Sequence, residues 1–420
     1  MKLIVVAILL AVATATARAQ VSNSLEACIA TALANNPEIA GSERKWEAAL
    51  QKIPQARALD DPMVGVDVER FGTTRFDTFT DNEWMISQTF PWFGKRGLRG
   101  GVETGAATRA EMDWRMKKLE IVAMVKQAYY DLWQAERELE VNGRNQELMR
   151  QFVEATRSRY ETGQASQSDF IRAQNELAKL AEDRIDRVRQ QQQALTDLNQ
   201  LLRRPPETSV DIGPEVAPAV GELGVSLEQL QAAAADRPEL LGVREGAVRS
   251  AKAALALAKK GYYPDVQFRV EARQLNGQSG IREYDTGVFI NFPWLNHGKY
   301  KAAIAEARAN LDASHDELDA MLVRTAAEVR KLYDGVHTMH HHYDLYTERL
   351  IPQQRLAVEA ARAAYETGAG GFMDLLDADR MLFDLEMQNL HHAAEFQRLL
   401  ASLERMAGGH LSLQPVEEKK

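Results

Sequence analysis

The sequence predicts a mainly α fold with a small β part, built from one structural unit laid down twice. Three observations carry this. The turn "YETG" occurs at Tyr160 and again at Tyr365, 205 residues on, while "SLE" recurs at Ser24 and Ser226 and "FPW" at Pro91 and Pro293, both pairs 202 apart. Landmarks in one order at one spacing mark a duplicated unit. No proline falls between Pro91 and Pro205, which invites long helices. Four short segments alternate apolar and polar residues, which calls for strands. The first copy is placed at 20–213 and the second at 214–409, with 410–420 as a C-terminal tail.

The first twenty residues, "MKLIVVAILLAVATATARAQ", combine one basic residue, an apolar run and a small-x-small site at Ala17-Arg18-Ala19. This reads as a signal peptide over 1–19. Cys28 is the only cysteine, so no intrachain disulfide is possible. Leu25 and Ala27 precede it as they would precede an acylated lipoprotein cysteine. However, Glu26 is charged and Cys28 lies inside the repeated helix, which favours a small core residue.

A helix is expected from about Ser24 to Arg57, followed by strands at about 62–71 and 83–92. Val64, Val66 and Val68 alternate with Gly65, Asp67 and Glu69. A long helix follows from about Lys95 to Arg159. In it Ile121, Val125, Ala128, Leu132, Ala135 and Leu139 form one apolar seam, and Leu119, Val122, Tyr129 and Trp133 a second. Two seams with small alanines suit a helix flanked on both sides. At 1.5 Å per residue it would span about 100 Å, and the short first helix with the return helix, about 168–203, would match it end to end. Gly163 suits the reversal between them, with Ser166 or Ser168 capping the return helix. "RRPPETSVDIGPEVAPAV" reads as an irregular connector.

In the second copy the strands fall at about 264–272 and 285–294. Val266, Phe268 and Val270 oppose Gln267, Arg269 and Glu271, and Val288, Ile290 and Phe292 oppose Phe289 and Asn291. Strands of about nine residues with Trp84, Trp92 and Trp294 near their ends fit a membrane barrel with a wet interior. A hairpin over a soluble core would alternate in the same way; the signal peptide and the lack of apolar helices favour the barrel. Four strands cannot close one, since the smallest have eight, so the membrane reading requires oligomers.

The net charge is −9, falling to about −11 without Lys2 and Arg18, which makes nucleic acid a poor partner. No Gly-rich phosphate loop, nucleophile elbow or HExxH is present, so neither catalysis nor a cofactor is expected. The competing non-enzymatic reading is a secreted, extended helical scaffold without a pore.

The duplicated unit, the helix-strand-strand-helix-helix order, the two "YETG" turns and "FPWFGKRG" at the strand-to-helix junction together resemble the TolC family of outer-membrane efflux ducts over nearly the whole mature length. The resemblance implies a homotrimer in outer-membrane lipid. Four strands per protomer would join in a 12-strand barrel, continued by a periplasmic α-barrel of long helical hairpins. It further implies a periplasmic adaptor and an inner-membrane pump of the RND type as partners. Thr162, Gly163, Thr367 and Gly368 would then lie at adaptor-contacting tips, and Asp374 and Asp377 would form constricting carboxylate rings. Asp169 matches Asp374 in the first copy, but Arg172 stands where Asp377 would. The residues alone leave open that these carboxylates only complement helix dipoles. "FPWFGKRGLRG" and "HTMHHHYD" lean toward the subgroup serving heavy-metal exporters. His337 and His341, four apart, have ligand spacing, yet a solvated helix face is favoured and no metal site is assigned.

N-terminal sequencing of the mature protein is expected to begin at Gln20; an acylated Cys28 would overturn that assignment.

Overall fold

The computed structural model describes residues 24–69, 81–210, 212–213, 217–275 and 280–414. The expected signal peptide and its cleavage point lie outside the described residues, as do residues 70–71 of the first expected strand and the last six of the tail. In chain order come α1 (Leu25–Asn35), α2 (Pro37–Arg57), β1 (Met63–Glu69), β2 (Asp81–Phe90), α3 (Lys95–Glu161), α4 (Gln167–Leu201) and β3 (Glu222–Leu223). The order then returns, with one helix more, as α5 (Leu227–Ala235), α6 (Pro238–Lys260), β4 (Val266–Leu275), β5 (Glu283–Ile290), α7 (His297–Leu345), α8 (Ile351–Thr367), α9 (Phe372–Ala407) and β6 (Leu413–Gln414).

The spacing predicts one helix from Ser24 to Arg57, whereas the chain breaks at Asn36. Pro37 disfavours helical dihedrals in the residue before it, and Asn36 takes φ −67° and ψ 124°. Its side chain compensates, with Oδ1 accepting the Glu38 N–H at 2.9 Å and Nδ2 donating to the Leu201 carbonyl at 3.2 Å. Another proline shapes the second copy. Pro352 lacks an N–H and crowds the preceding turn, and the helix widens there into a π-helical turn, Tyr346–Leu350, between α7 and α8. The strands β2 and β5 end at Phe90 and Ile290, short of Pro91 and Pro293, which cannot donate to a ladder.

The four longer strands form one antiparallel sheet in the order β1-β2-β4-β5. Its register sorts the residues by face: Val64 pairs with Ile86 and Ile86 with Val270, while Phe90 pairs with Val266 and Val266 with Ile290. Val64, Val66, Ile86, Phe268, Val270 and Val288 stand exposed on this apolar face. The opposite face carries paired polar side chains. Arg273 meets Glu83 at 3.2 Å, Arg269 meets Glu271 at 3.0 Å, and Gln267 donates to Ser87 at 3.1 Å. Among the described residues nothing pairs with the outer edges of β1 and β5.

The chain packs as two units, one of Met1–Ile39, Lys118–Ala234 and Ala326–Lys420, the other of Ala40–Lys117 and Ala235–Thr325. In the first unit one core gathers Leu230, Val329, Phe396, Leu400 and Leu403, and a second gathers Met149, Phe152, Leu180, Phe372, Leu375 and Leu376. The first seam of α3 is buried at Ile121, Val125, Ala128, Leu132 and Ala135, and Tyr129 and Trp133 of the second seam are buried too. Cys28 is fully buried in α1, and burial pushes its thiol pKa up against the pull of Arg204. No helix among the described residues is long and apolar enough to cross a membrane.

In the second unit α3 and α6 approach so closely at Gly105 and Gly246 that a Cβ on Gly105 would lie 2.4 Å from the Gly246 carbonyl. Trp46 of α2 stacks on Trp114 of α3, with centroids 5.1 Å apart. Gly105→Ala is therefore expected to cost about 1–3 kcal/mol through overpacking. Gly97→Ala, with nothing within 4 Å, is expected to be neutral or to gain a few tenths of a kcal/mol from helix propensity. Thermal unfolding of the two variants, shifting only for Gly105, checks the contact.

Candidate functional site

The two "YETG" turns are geometric twins. Gly163 and Gly368 take φ of +76° and +75°, a region that β-carbon sterics close to most residues. At each, two N–H groups return to the helix end: Gln164 donates to the Arg159 carbonyl at 2.7 Å and Gly163 to Tyr160 at 3.0 Å. Likewise Ala369 donates to Ala364 at 2.9 Å and Gly368 to Tyr365 at 3.1 Å. This is the Schellman pattern that satisfies the last carbonyls of a helix. Thr162 and Thr367 are exposed, and each hydroxyl donates back to its own helix, to the Ser158 and Ala363 carbonyls.

The helices leaving the turns start differently. Ser166 caps α4 in a reciprocal box, its Oγ accepting the Asp169 N–H at 3.2 Å while Asp169 Oδ2 accepts from the Ser166 hydroxyl at 2.8 Å. In α9 Gly371 holds the cap position, and Asp374 Oδ2 accepts its N–H at 3.2 Å. Asp169 and Asp374 thus both accept a hydrogen bond at a helix start. Asp374 and Asp377 are exposed on one side of α9, and Arg380 lies 3.6 Å from Asp377 while its guanidinium also grips Glu176.

Two features of this region gave no local signal. Arg159, at the end of the first hairpin's long helix, lays its guanidinium over the Tyr365 ring, 4.5 Å from the centroid, and also donates to the Tyr365 carbonyl. Burial, the largest influence, raises the Tyr365 phenol pKa, with Arg159 opposing. The contact ties the first turn to the second across more than two hundred residues, beside a cleft of about 390 Å³ lined by Phe152, Arg362 and Leu375 among others. The second feature is Asp379, only 3% exposed, whose Oδ2 has no hydrogen-bond partner among the described residues. Burial first, and then Glu176 and Glu386, push its pKa up to about 6. Its place on the stripe of Leu375, Leu376 and Phe383 is visible in the sequence, but its lack of a cation is not.

The histidines form contacts without a ligand cage. His337 and His341 meet edge to face with centroids 4.4 Å apart, and His340, buried, lies 3.2 Å from Asp344. His392, which the sequence analysis did not single out, comes beside His342 at 5.0 Å. Burial lowers the His392 pKa, helped by His342 and His391. Among the described residues no group of three His, Cys, Asp or Glu side chains is placed to hold a metal ion.

The profile of the family described as outer membrane efflux protein matches residues 28–203 and 229–409, one stretch in each copy of the repeat. The chain belongs to the outer membrane efflux protein family. It is 21% identical to the cobalt-zinc-cadmium resistance protein CzcC of Cupriavidus metallidurans, over 92% of this chain and 90% of that protein. It is 23% identical to the alkaline protease secretion protein AprF of Pseudomonas aeruginosa, over 84% and 77%. A solved structure of CusC, described in terms of folding and transmembrane channel formation, superposes with a TM-score of 0.79 at 19% identity, covering 93% of both chains. The protein is an outer-membrane efflux channel and not an enzyme. Channels of this outer membrane efflux family are trimeric and work with adaptor proteins and pumps.

The raised pKa of Asp379 predicts a pH-dependent stability for the efflux protein. Folding raises this acid's pKa from 3.8 to about 6, so the stabilisation is fully present below pH about 4 and is lost as pH rises through about 6. Asp379→Asn stays neutral throughout. It is expected to leave unfolding near pH 4 unchanged and to stabilise the protein at pH 7.5 by up to about 3 kcal/mol. Thermal unfolding of both proteins from pH 4 to 8 checks the sign.

Proposed function

We propose that three copies of the chain form the exit duct of a three-component export system, passing cargo that includes heavy-metal cations. The single observation that carries the trimer is the sheet, with its apolar outer face, its paired polar inner face and two unpartnered edges. Lipid offers no hydrogen bonds to those edges, so they must pair with other copies, and three sets of four strands exceed the minimum for closure. The full-length likeness to CzcC supports the metal cargo.

In this reading Thr162, Gly163, Thr367 and Gly368 form the adaptor-contacting tips, presented on two exposed turns of the same hydrogen-bonded geometry. Asp374 and Asp377 face the axis three times over, as two rings about one helical turn apart. Asp169, tied to Ser166, contributes charge from the first hairpin. Opening separates the hairpins, and the Arg159–Tyr365 contact is the link within each protomer that adaptor docking must leave intact or break. Crowded carboxylates attract multivalent cations.

The full chain, purified in mild detergent and reconstituted in planar bilayers, should have a trimer's mass and conduct ions. A folded monomer without conductance would support the secreted scaffold instead. Asp374→Asn combined with Asp377→Asn should raise the trivalent-cation concentration needed for half-block roughly tenfold while leaving the trimer mass unchanged. Unchanged block and selectivity would remove the ring assignment and leave the duct standing.

A further inference from the structure

The apolar face of the sheet ends in a built cavity. At the end where α2 and α6 lead into strands and where α3 and α7 begin, a cleft of about 530 Å³ is lined by Leu59, Phe90, Trp92, Phe93 and Phe268, with Arg96 as its one charged side chain. Its volume lies in the ligand-site range of roughly 300–1,000 Å³. Phe90 and Phe268 belong to the lipid-facing rows of β2 and β4, so the cleft continues the membrane surface. These are the inner strands of the sheet, away from the edges that would meet other copies.

The cleft is held open by its own supports. The Trp92 N–H donates to Asp265 Oδ1 at 2.8 Å, and Lys95 Nζ meets the same oxygen at 2.7 Å and the Tyr263 carbonyl at 2.8 Å. The Trp92 ring stacks on Tyr263 with centroids 5.6 Å apart. Beside this fixed frame Phe93 projects outward, 85% exposed, a large cost in water and none in hydrocarbon. Arg96 donates Nε to the Arg57 carbonyl at 2.7 Å, which orients the guanidinium, and no carboxylate among the described residues pairs with it. Its neighbours are already committed: Lys95 to Asp265, and Arg99 to Asp60 at 3.9 Å.

An apolar slot that opens onto the hydrocarbon face and carries one oriented guanidinium matches a molecule with an acyl chain and a phosphate. Guanidinium binds phosphate with two parallel N–H donors, and tryptophan settles at the headgroup level of bilayers. We propose that the cleft is a glycerophospholipid site at the helix-bearing end of the barrel, with an acyl chain between Leu59, Phe93 and Phe268 and the lipid phosphate on Arg96. The bound lipid seals the junction between strands and helices, where the belt of exposed side chains continues through Phe292, Trp294 and Leu295. The inference rests on the membrane placement of the sheet and not on the gate.

Native mass spectrometry of the delipidated full-length protein, titrated with palmitoyl-oleoyl-phosphatidylglycerol, tests it. One lipid should bind per chain before further adducts appear. Arg96→Gln should weaken that binding roughly tenfold and Arg96→Lys less, in keeping with loss of a charged hydrogen-bond pair. On the wild-type protein, dioleoylglycerol should bind at least tenfold more weakly than the phospholipid, and inorganic phosphate should not displace it. Equal binding of phosphatidylglycerol to Arg96→Gln, equal binding of dioleoylglycerol, or displacement by inorganic phosphate would each overturn the site. Should Arg96→Gln fail to assemble, the wild-type comparisons decide alone. The same spectra report the oligomer: a trimer without the ordered lipid sinks only the cleft, whereas a monomer sinks the duct.

Discussion

The unpaired edges of a four-stranded sheet are the constraint on which this protein depends. Each edge presents N–H and C=O groups that water satisfies easily and hydrocarbon cannot. The register leaves no latitude elsewhere, because a slip of one residue would turn Val64, Ile86 and Val270 inward and Arg269 and Arg273 into lipid. A single chain has one apolar face and one polar face on the same four strands, flanked by two edge strands without partners among the described residues.

The helical unit solves a different problem, holding two hairpins together with less than maximal stability. A dry core of Met149, Phe152, Phe372, Leu375 and Leu376 joins them, and Arg159 on Tyr365 adds a polar clasp near the turns. Into α9 is set Asp379, a buried acid whose Oδ2 has no hydrogen-bond partner among the described residues. An apolar residue there would pack at lower cost. The hairpins thus carry a built-in destabilisation beside the core that joins them.

Prolines and glycines divide the labour between these tasks. Pro37 and Pro352 bend or widen helices at fixed heights, and Gly163 and Gly368 reverse them. Gly105 and Gly246 instead act by absence, removing the side chains that would keep two helices apart. Only the reversals announce themselves locally, because a turn needs its glycine within a few residues of a helix end, while a close approach needs one anywhere along a helix.

What the sequence determined by itself was everything set by local periodicity. A strand alternates because its backbone does, so Val266 and Gln267 face opposite sides whatever lies around them. A helix seam at Ile121, Val125 and Leu132 is buried because 3.6 residues make a turn, and two equal turns at Gly163 and Gly368 follow from a repeated motif. Which residues meet across the chain was decided only by the tertiary structure. Arg159 and Tyr365, Gly105 and Gly246, His342 and His392, and the cleft walled by Leu59, Phe93 and Phe268 each join residues from distant segments. The physical reason is that periodicity fixes the direction in which a side chain points, while the packing of one element against another fixes what it finds there.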